Sequence, residues 1–150
     1  MKRSSGLLIL TATGLAVVQV GCVGGILTCQ PDANDPFQGR WKERSAISCQ
    51  DQSETPGSIA EIIFCQNSFS VTRTPFESFT DYFGDYTLDP ATGALTLTIT
   101  GGNVIPADAD LSGTVEFRSD GTIVLRDIFL GSFDGGSDPV VTCGHVLEPM

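Results

Sequence analysis

The sequence predicts an all-β domain, an antiparallel up-and-down meander of about eight strands that closes into a small barrel. Three observations carry that expectation. Ala94–Thr100 alternates cleanly, with Leu95, Leu97 and Ile99 on one face and threonines on the other, the pattern of a half-buried strand. Turn-forming clusters such as Asp89-Pro90-Ala91-Thr92-Gly93 and Ser119-Asp120-Gly121 join such runs locally, as hairpins require. The chain has 17 Gly and 8 Pro, many at turn positions, and helix-favouring runs are scarce. Closure buries the apolar face and removes exposed edges. An open sandwich satisfies the same alternation.

Taken in order, the 150 residues divide into a signal peptide over 1–21, a tether over 22–38 and the β-domain over 39–150. Lys2 and Arg3 precede a short apolar stretch without acidic residues, which is how an export signal reads. That stretch is interrupted by Gly, Thr and Gln and is short for a bilayer core of about 30 Å. No later segment is a candidate membrane helix. Residues 26–37 include Pro31, Asp32, Asn34, Asp35 and Pro36 and show no period, so they read as a spacer.

The strands follow. Arg40–Ser48 alternates imperfectly and ends in a polar loop, Asp51–Gly57. Ile59–Cys65 is a dense apolar run, Gln66-Asn67 a turn, and Phe69–Thr72 its return strand. Thr80–Leu88 precedes the Asp89–Gly93 hairpin and the Ala94–Thr100 strand. After a loop over 101–110, Leu111, Gly113, Val115 and Phe117 share one face. The Asp120-Gly121 pair suits a tight turn into Thr122–Leu130. Another Gly-rich loop, with Asp134 and Asp138 around Gly135-Gly136, leads to Val140–Leu147.

Lys and Arg total 8 against 18 Asp and Glu, for a formal charge of -10. The only basic residues among the first 30 are Lys2 and Arg3, so the mature part is more acidic still. Such a surface repels phosphate backbones and anionic lipid headgroups, which disfavours nucleic acid and direct membrane-surface binding. A soluble, self-repelling surface is the simplest meaning of the acidity.

Val18-Gln19-Val20-Gly21-Cys22 resembles the lipobox of bacterial lipoproteins. The resemblance implies lipidation of Cys22 and membrane attachment through that lipid alone. Gln19 stands where the family has an aliphatic residue, and ordinary cleavage with secretion remains the alternative. Gly39-Arg40-Trp41, followed by a locally connected run of strands, resembles the lipocalin-like (calycin) barrels. That likeness covers Gly39 to the C-terminus. It implies that Trp41 plugs one end of the barrel beside Gly39, that Arg126 stacks on it, and that the other end opens on an apolar cavity. Thr80-Asp81-Tyr82 matches the family's second motif in letters but falls too early in the chain, and is taken as coincidence. The domain is short for a classical lipocalin, and a small barrel is readily filled by its own side chains.

There are 5 cysteines. With Cys22 lipidated, an even four remain for disulfides: Cys29, Cys49, Cys65 and Cys143. Cys49 and Cys65 flank the first hairpin loop, which would leave Cys29 for Cys143. A closed barrel sets its first and last strands side by side, making Cys49–Cys143 the rival. The sequence does not choose.

Constellations for chemistry fail one by one. Zinc has neither a close Cys-x-x-Cys nor more than one histidine. Asp108-Ala109-Asp110-Leu111-Ser112-Gly113 opens like a calcium loop, but its twelfth position is Ser119 and its flanks are strands. His145, the single histidine, has no serine in a nucleophile elbow to serve and reads as structural. No enzyme activity, metal or cofactor is expected. The functional expectation is a tethered envelope monomer binding a small apolar ligand at residues the sequence does not identify. The alternative is an envelope interaction module with a filled barrel and a protein partner.

Overall fold

The structure, a computed structural model, describes residues 35–73, 79–132 and 142–150. The leader, Cys22, Cys29 and the Gly135-Gly136 loop lie outside them. The strands are β1 (Gly39–Ser48), β2 (Glu54–Pro56), β3 (Ile59–Cys65), β4 (Ser68–Arg73), β5 (Tyr82–Leu88), β6 (Ala94–Gly102), β7 (Ser112–Phe117), β8 (Ile123–Arg126) and β9 (Thr142–Pro149). They form one antiparallel sheet in the order β2-β1-β3-β4-β5-β6-β7-β8-β9, closed by pairing of β1 with β9. The register of closure runs from Trp41↔Pro149 to Ser48↔Thr142. Eight strands therefore make a closed meander barrel, as the alternation predicts, and β2 is an addition to it.

β2 corrects the reading of Asp51–Gly57 as wholly loop. The first strand changes partner along its length. Residues 39–41 pair with β3, whereas Ser45, Ala46 and Ile47 pair with Pro56, Thr55 and Glu54. All three β2 residues are exposed, so this short ladder has no apolar face and leaves no periodic trace in the sequence.

The inward faces follow the pleat. Trp41, Ile62, Phe64, Phe69, Val71, Tyr82, Leu95, Leu97, Ile123, Leu125 and Leu147 all belong to one buried cluster. Each large side chain fully removed from water contributes about 1.5–3 kcal/mol. Ile47, Val124 and Val146 form a second, smaller cluster. Gly84 lets two backbones meet: a Cβ there would lie 1.9 Å from the Thr98 carbonyl oxygen, beside the register shift between Phe83 and Gly84. Only glycine fits that approach.

Both ends of the barrel differ from expectation. The run Thr122–Leu130 does not continue as a strand, because β8 stops at Arg126 and Asp127 adopts φ 57°. Aspartate tolerates this left-handed conformation better than most residues. The turn takes Ile128 off the outward face that strict alternation would give it, and both Ile128 and Leu130 are fully buried in the main cluster. At the opposite end Phe37, expected in the spacer, is also fully buried. Its ring centroid lies 4.0 Å from that of Phe64 and 5.3 Å from that of Tyr86. The Asp35 carboxylate fixes the approach by accepting the Phe37 amide at 3.1 Å and the Gln38 side-chain amide at 3.0 Å.

Candidate functional site

The space in which a ligand was expected is the barrel axis above Trp41. Gly39 and Trp41 lie together at one end of the barrel: a Cβ at Gly39 would lie 3.6 Å from the indole nitrogen, and Trp41 donates its indole N–H to the Phe37 carbonyl at 3.1 Å. Arg126 does not join them. β8 alternates, so Leu125 faces the core and Arg126 faces out, where its Nε and Nη2 each donate to Glu116 Oε2 at 2.8 Å. The late arginine lies on the wrong face of its strand to reach the indole.

At the far end, the segment after Asp127 enters the barrel mouth, and a buried polar network holds it there. Leu130 is the hub. Its carbonyl accepts the Tyr82 hydroxyl at 2.7 Å and Arg73 Nη2 at 2.5 Å, and Arg73 also reaches the Gly131 carbonyl at 2.6 Å. The Leu130 amide donates to His145 Nε2 at 3.3 Å. That bond makes Nε2 an acceptor and places the proton of a neutral ring on Nδ1, which meets Glu43 Oε1 at 2.5 Å. The other Glu43 oxygen accepts the backbone amides of Ser58 and Ile59 at 2.7 and 2.9 Å. Asp81, in the Thr80-Asp81-Tyr82 stretch, accepts the Arg73 amide at 2.8 Å.

Electrostatics match this geometry. Burial pushes the Glu43 carboxyl up, but the hydrogen bonds from His145 and the two amides outweigh it, and its pKa falls below the usual 4.5. Burial pushes the Tyr82 phenol up to about 12, against the opposing pull of Arg73. His145 thus bonds a carboxylate through one nitrogen and a backbone amide through the other, so both are committed within the fold. Sequence reasoning read His145 as structural and missed Glu43. The available signal was parity: Glu43 shares the inward face with Trp41, and an acidic residue there needs partners.

A disulfide joins Cys49 to Cys143, with Cα atoms 4.9 Å apart at a sequence separation of 94. It staples the end of β1 to the start of β9, beside the Ser48↔Thr142 pair. Of the pairings the sequence left open, the structure has the rival, Cys49 with Cys143, and not Cys49 with Cys65: barrel closure, not hairpin proximity, decides the partner. Cys65 is disulfide-bonded too. In the acidic loop, Asp108 accepts the Ser132 amide at 3.1 Å and also the Ser132 hydroxyl, and Asp110 forms a backbone bridge with Phe129. Among the described residues no group of three or more His, Cys, Asp or Glu is placed to hold a metal ion.

Exposed apolar side chains concentrate on two neighbouring segments at the far rim: Phe79 and Phe83 on one, Val104 and Ile105 on the other. The Asp81 carbonyl joins the segments by accepting the Asn103 and Val104 amides at 2.6 and 2.9 Å. No family, curated protein or solved structure matches the chain.

Proposed function

We propose that the protein is an exported, envelope-tethered barrel that recognises a partner through its outer surface and does not carry an apolar ligand along its axis. The observation that carries this reading is the packed axis. Phe37 closes one end, Ile128 and Leu130 close the other, and all three are fully buried in the same cluster as the inward strand residues. A carrier would keep that volume free for its ligand.

Three features support the rest. The basic, apolar leader and Gly21-Cys22 read as an export and lipidation signal. A disulfide between the first and last strands suits an oxidising compartment. The rim of Phe79, Phe83, Val104 and Ile105 leaves apolar surface outside the core, the kind that protein contacts cover.

The test is site-specific photo-cross-linking in the producing cell, from Phe83 and, as a control, from the exposed Lys42 on β1. A discrete adduct from Phe83 alone supports the reading. Adducts from neither position, with the protein intact in the envelope fraction, reject it. Cys22→Ser is expected to move the protein from the membrane to the soluble fraction.

A further inference from the structure

A cleft of about 530 Å³ lies at the base of the barrel, outside the packed axis, with Asp35, Pro36, Tyr86, Leu88, Val115 and Phe117 among its walls. That size falls in the range of small-molecule sites. Its floor and sides are largely apolar. Phe117 ends β7 on the inward face but remains 46% exposed, because the strand stops there. Gly93 opens one wall: it sits at φ 74° in the hairpin, and a Cβ there would come within 2.7 Å of the Val115 carbonyl oxygen.

The polar feature is the Tyr86 hydroxyl. Tyr86 is 3% exposed, and Phe37 and Phe64 hold its ring edge-on at 5.3 and 5.4 Å. Its hydroxyl is buried and, among the described residues, makes no hydrogen bond of ordinary geometry, the Asn67 backbone being the polar group that bears on it. A buried polar group without a partner is uncommon and calls for an explanation. Nearby Asp35 sets the sign of what could provide one. Its carboxylate is anchored by the Phe37 and Gln38 bonds, and burial together with its charge pushes the Tyr86 phenol up against a smaller opposing pull from the Asn67 backbone. An anionic guest would meet that charge and the acidic surface of the whole chain.

We propose that this basal cleft binds a small uncharged or cationic molecule with a flat apolar body and one hydroxyl or amine group, which the Tyr86 hydroxyl bonds. The body lies against Leu88, Val115 and Phe117. The polar group reaches Tyr86 through a rotamer change at the rim, where Leu88 and Phe117 are incompletely covered. The site is independent of the outer rim at the other end of the barrel.

The test titrates the full-length protein with p-cresol, phenethylamine and phenylacetate, three probes of similar body, and follows backbone amide resonances. The expected result is saturable shifts centred on Tyr86, Val115 and Phe117 with the first two probes, and at least tenfold weaker binding of phenylacetate. Tyr86→Phe is expected to weaken p-cresol about 3- to 10-fold, the factor one neutral hydrogen bond supplies. The same change should raise the thermal midpoint of the ligand-free protein, because it deletes an unpaired hydroxyl. A residue that only packs would not give those two effects opposite signs. Phe117→Ser, at an exposed position, should weaken every probe that binds and leave the fold intact. Absence of saturable binding, p-cresol affinity indifferent to Tyr86→Phe, or a lowered midpoint in that variant, as a trapped water on the hydroxyl would give, overturns the proposal.

Discussion

His145 and Glu43, 102 residues apart in sequence, meet inside the barrel with Nδ1 2.5 Å from Oε1. Neither has an exposed side chain, so each depends on the other to lie in the core. The pair also joins two distant parts of the closure: Glu43 holds the Ser58 and Ile59 amides, and His145 holds the Leu130 amide of the segment that fills the barrel mouth.

Removing one partner strands the other. Glu43→Ala leaves the His145 Nδ1–H and the Ser58 and Ile59 amides without their acceptor and is expected to cost about 3 kcal/mol or more in urea unfolding, each unsatisfied buried donor costing about 1–3 kcal/mol. A loss under 1 kcal/mol would show that the pair contributes little.

The sign of the pH dependence follows from Glu43. Its folded pKa lies below the 4.5 of a free glutamate, so the unfolded chain binds the proton more readily. The stability this contributes is present above about pH 4.5 and is lost as pH falls through the lowered folded value. Urea midpoints measured downward from pH 6 should fall below about 4.5, and Glu43→Gln should flatten that limb. An unchanged limb in the variant would assign acid sensitivity to other carboxylates.

The Cys49–Cys143 bridge closes a loop spanning 94 residues. Replacing both cysteines with serine is expected to lower stability by about 2–5 kcal/mol, and peptide mapping of the native protein should recover the two as one linked species. A Cys49–Cys65 peptide would contradict the closure of β1 on β9.

Arg126 offers a contrast. Its ion pair with Glu116 lies at the surface, with side chains 41% and 47% exposed, and exposed pairs are worth about 0–1 kcal/mol. Arg126→Ala should therefore change stability by less than about 1 kcal/mol and leave Trp41 emission unaltered. A shifted spectrum would place the guanidinium on the indole after all.

What was legible in the sequence depended on periodicity. Leu95, Leu97 and Ile99 alternate with threonines and lie where that pattern puts them, facing the core, and the local turns made the meander readable. Single residues that break the pattern were not legible. Asp127 sits in an apolar run that scans as one strand, and only its left-handed backbone sends Ile128 inward. Phe37 is one aromatic among Pro and Asp, with no neighbours to set a period, so its role as a plug depends on Phe64 and Tyr86, which are distant in sequence. Cysteine pairing was readable only as a choice, because it follows from closure. The polar network was half visible, in His145, and its other half needed the parity of Glu43 to be weighed against Trp41.

The central claim is that the axis is occupied by Phe37, Ile128 and Leu130, and a paired titration tests it most directly. The native protein and the Ile128→Ala/Leu130→Ala variant, each substitution expected to cost about 2–5 kcal/mol, are titrated with a fluorescent fatty-acid analogue while Trp41 emission is recorded. The account expects no saturable response from the native protein and a gain of apolar binding in the variant if it remains folded. Stoichiometric binding by the native protein with quenching of Trp41 would contradict it.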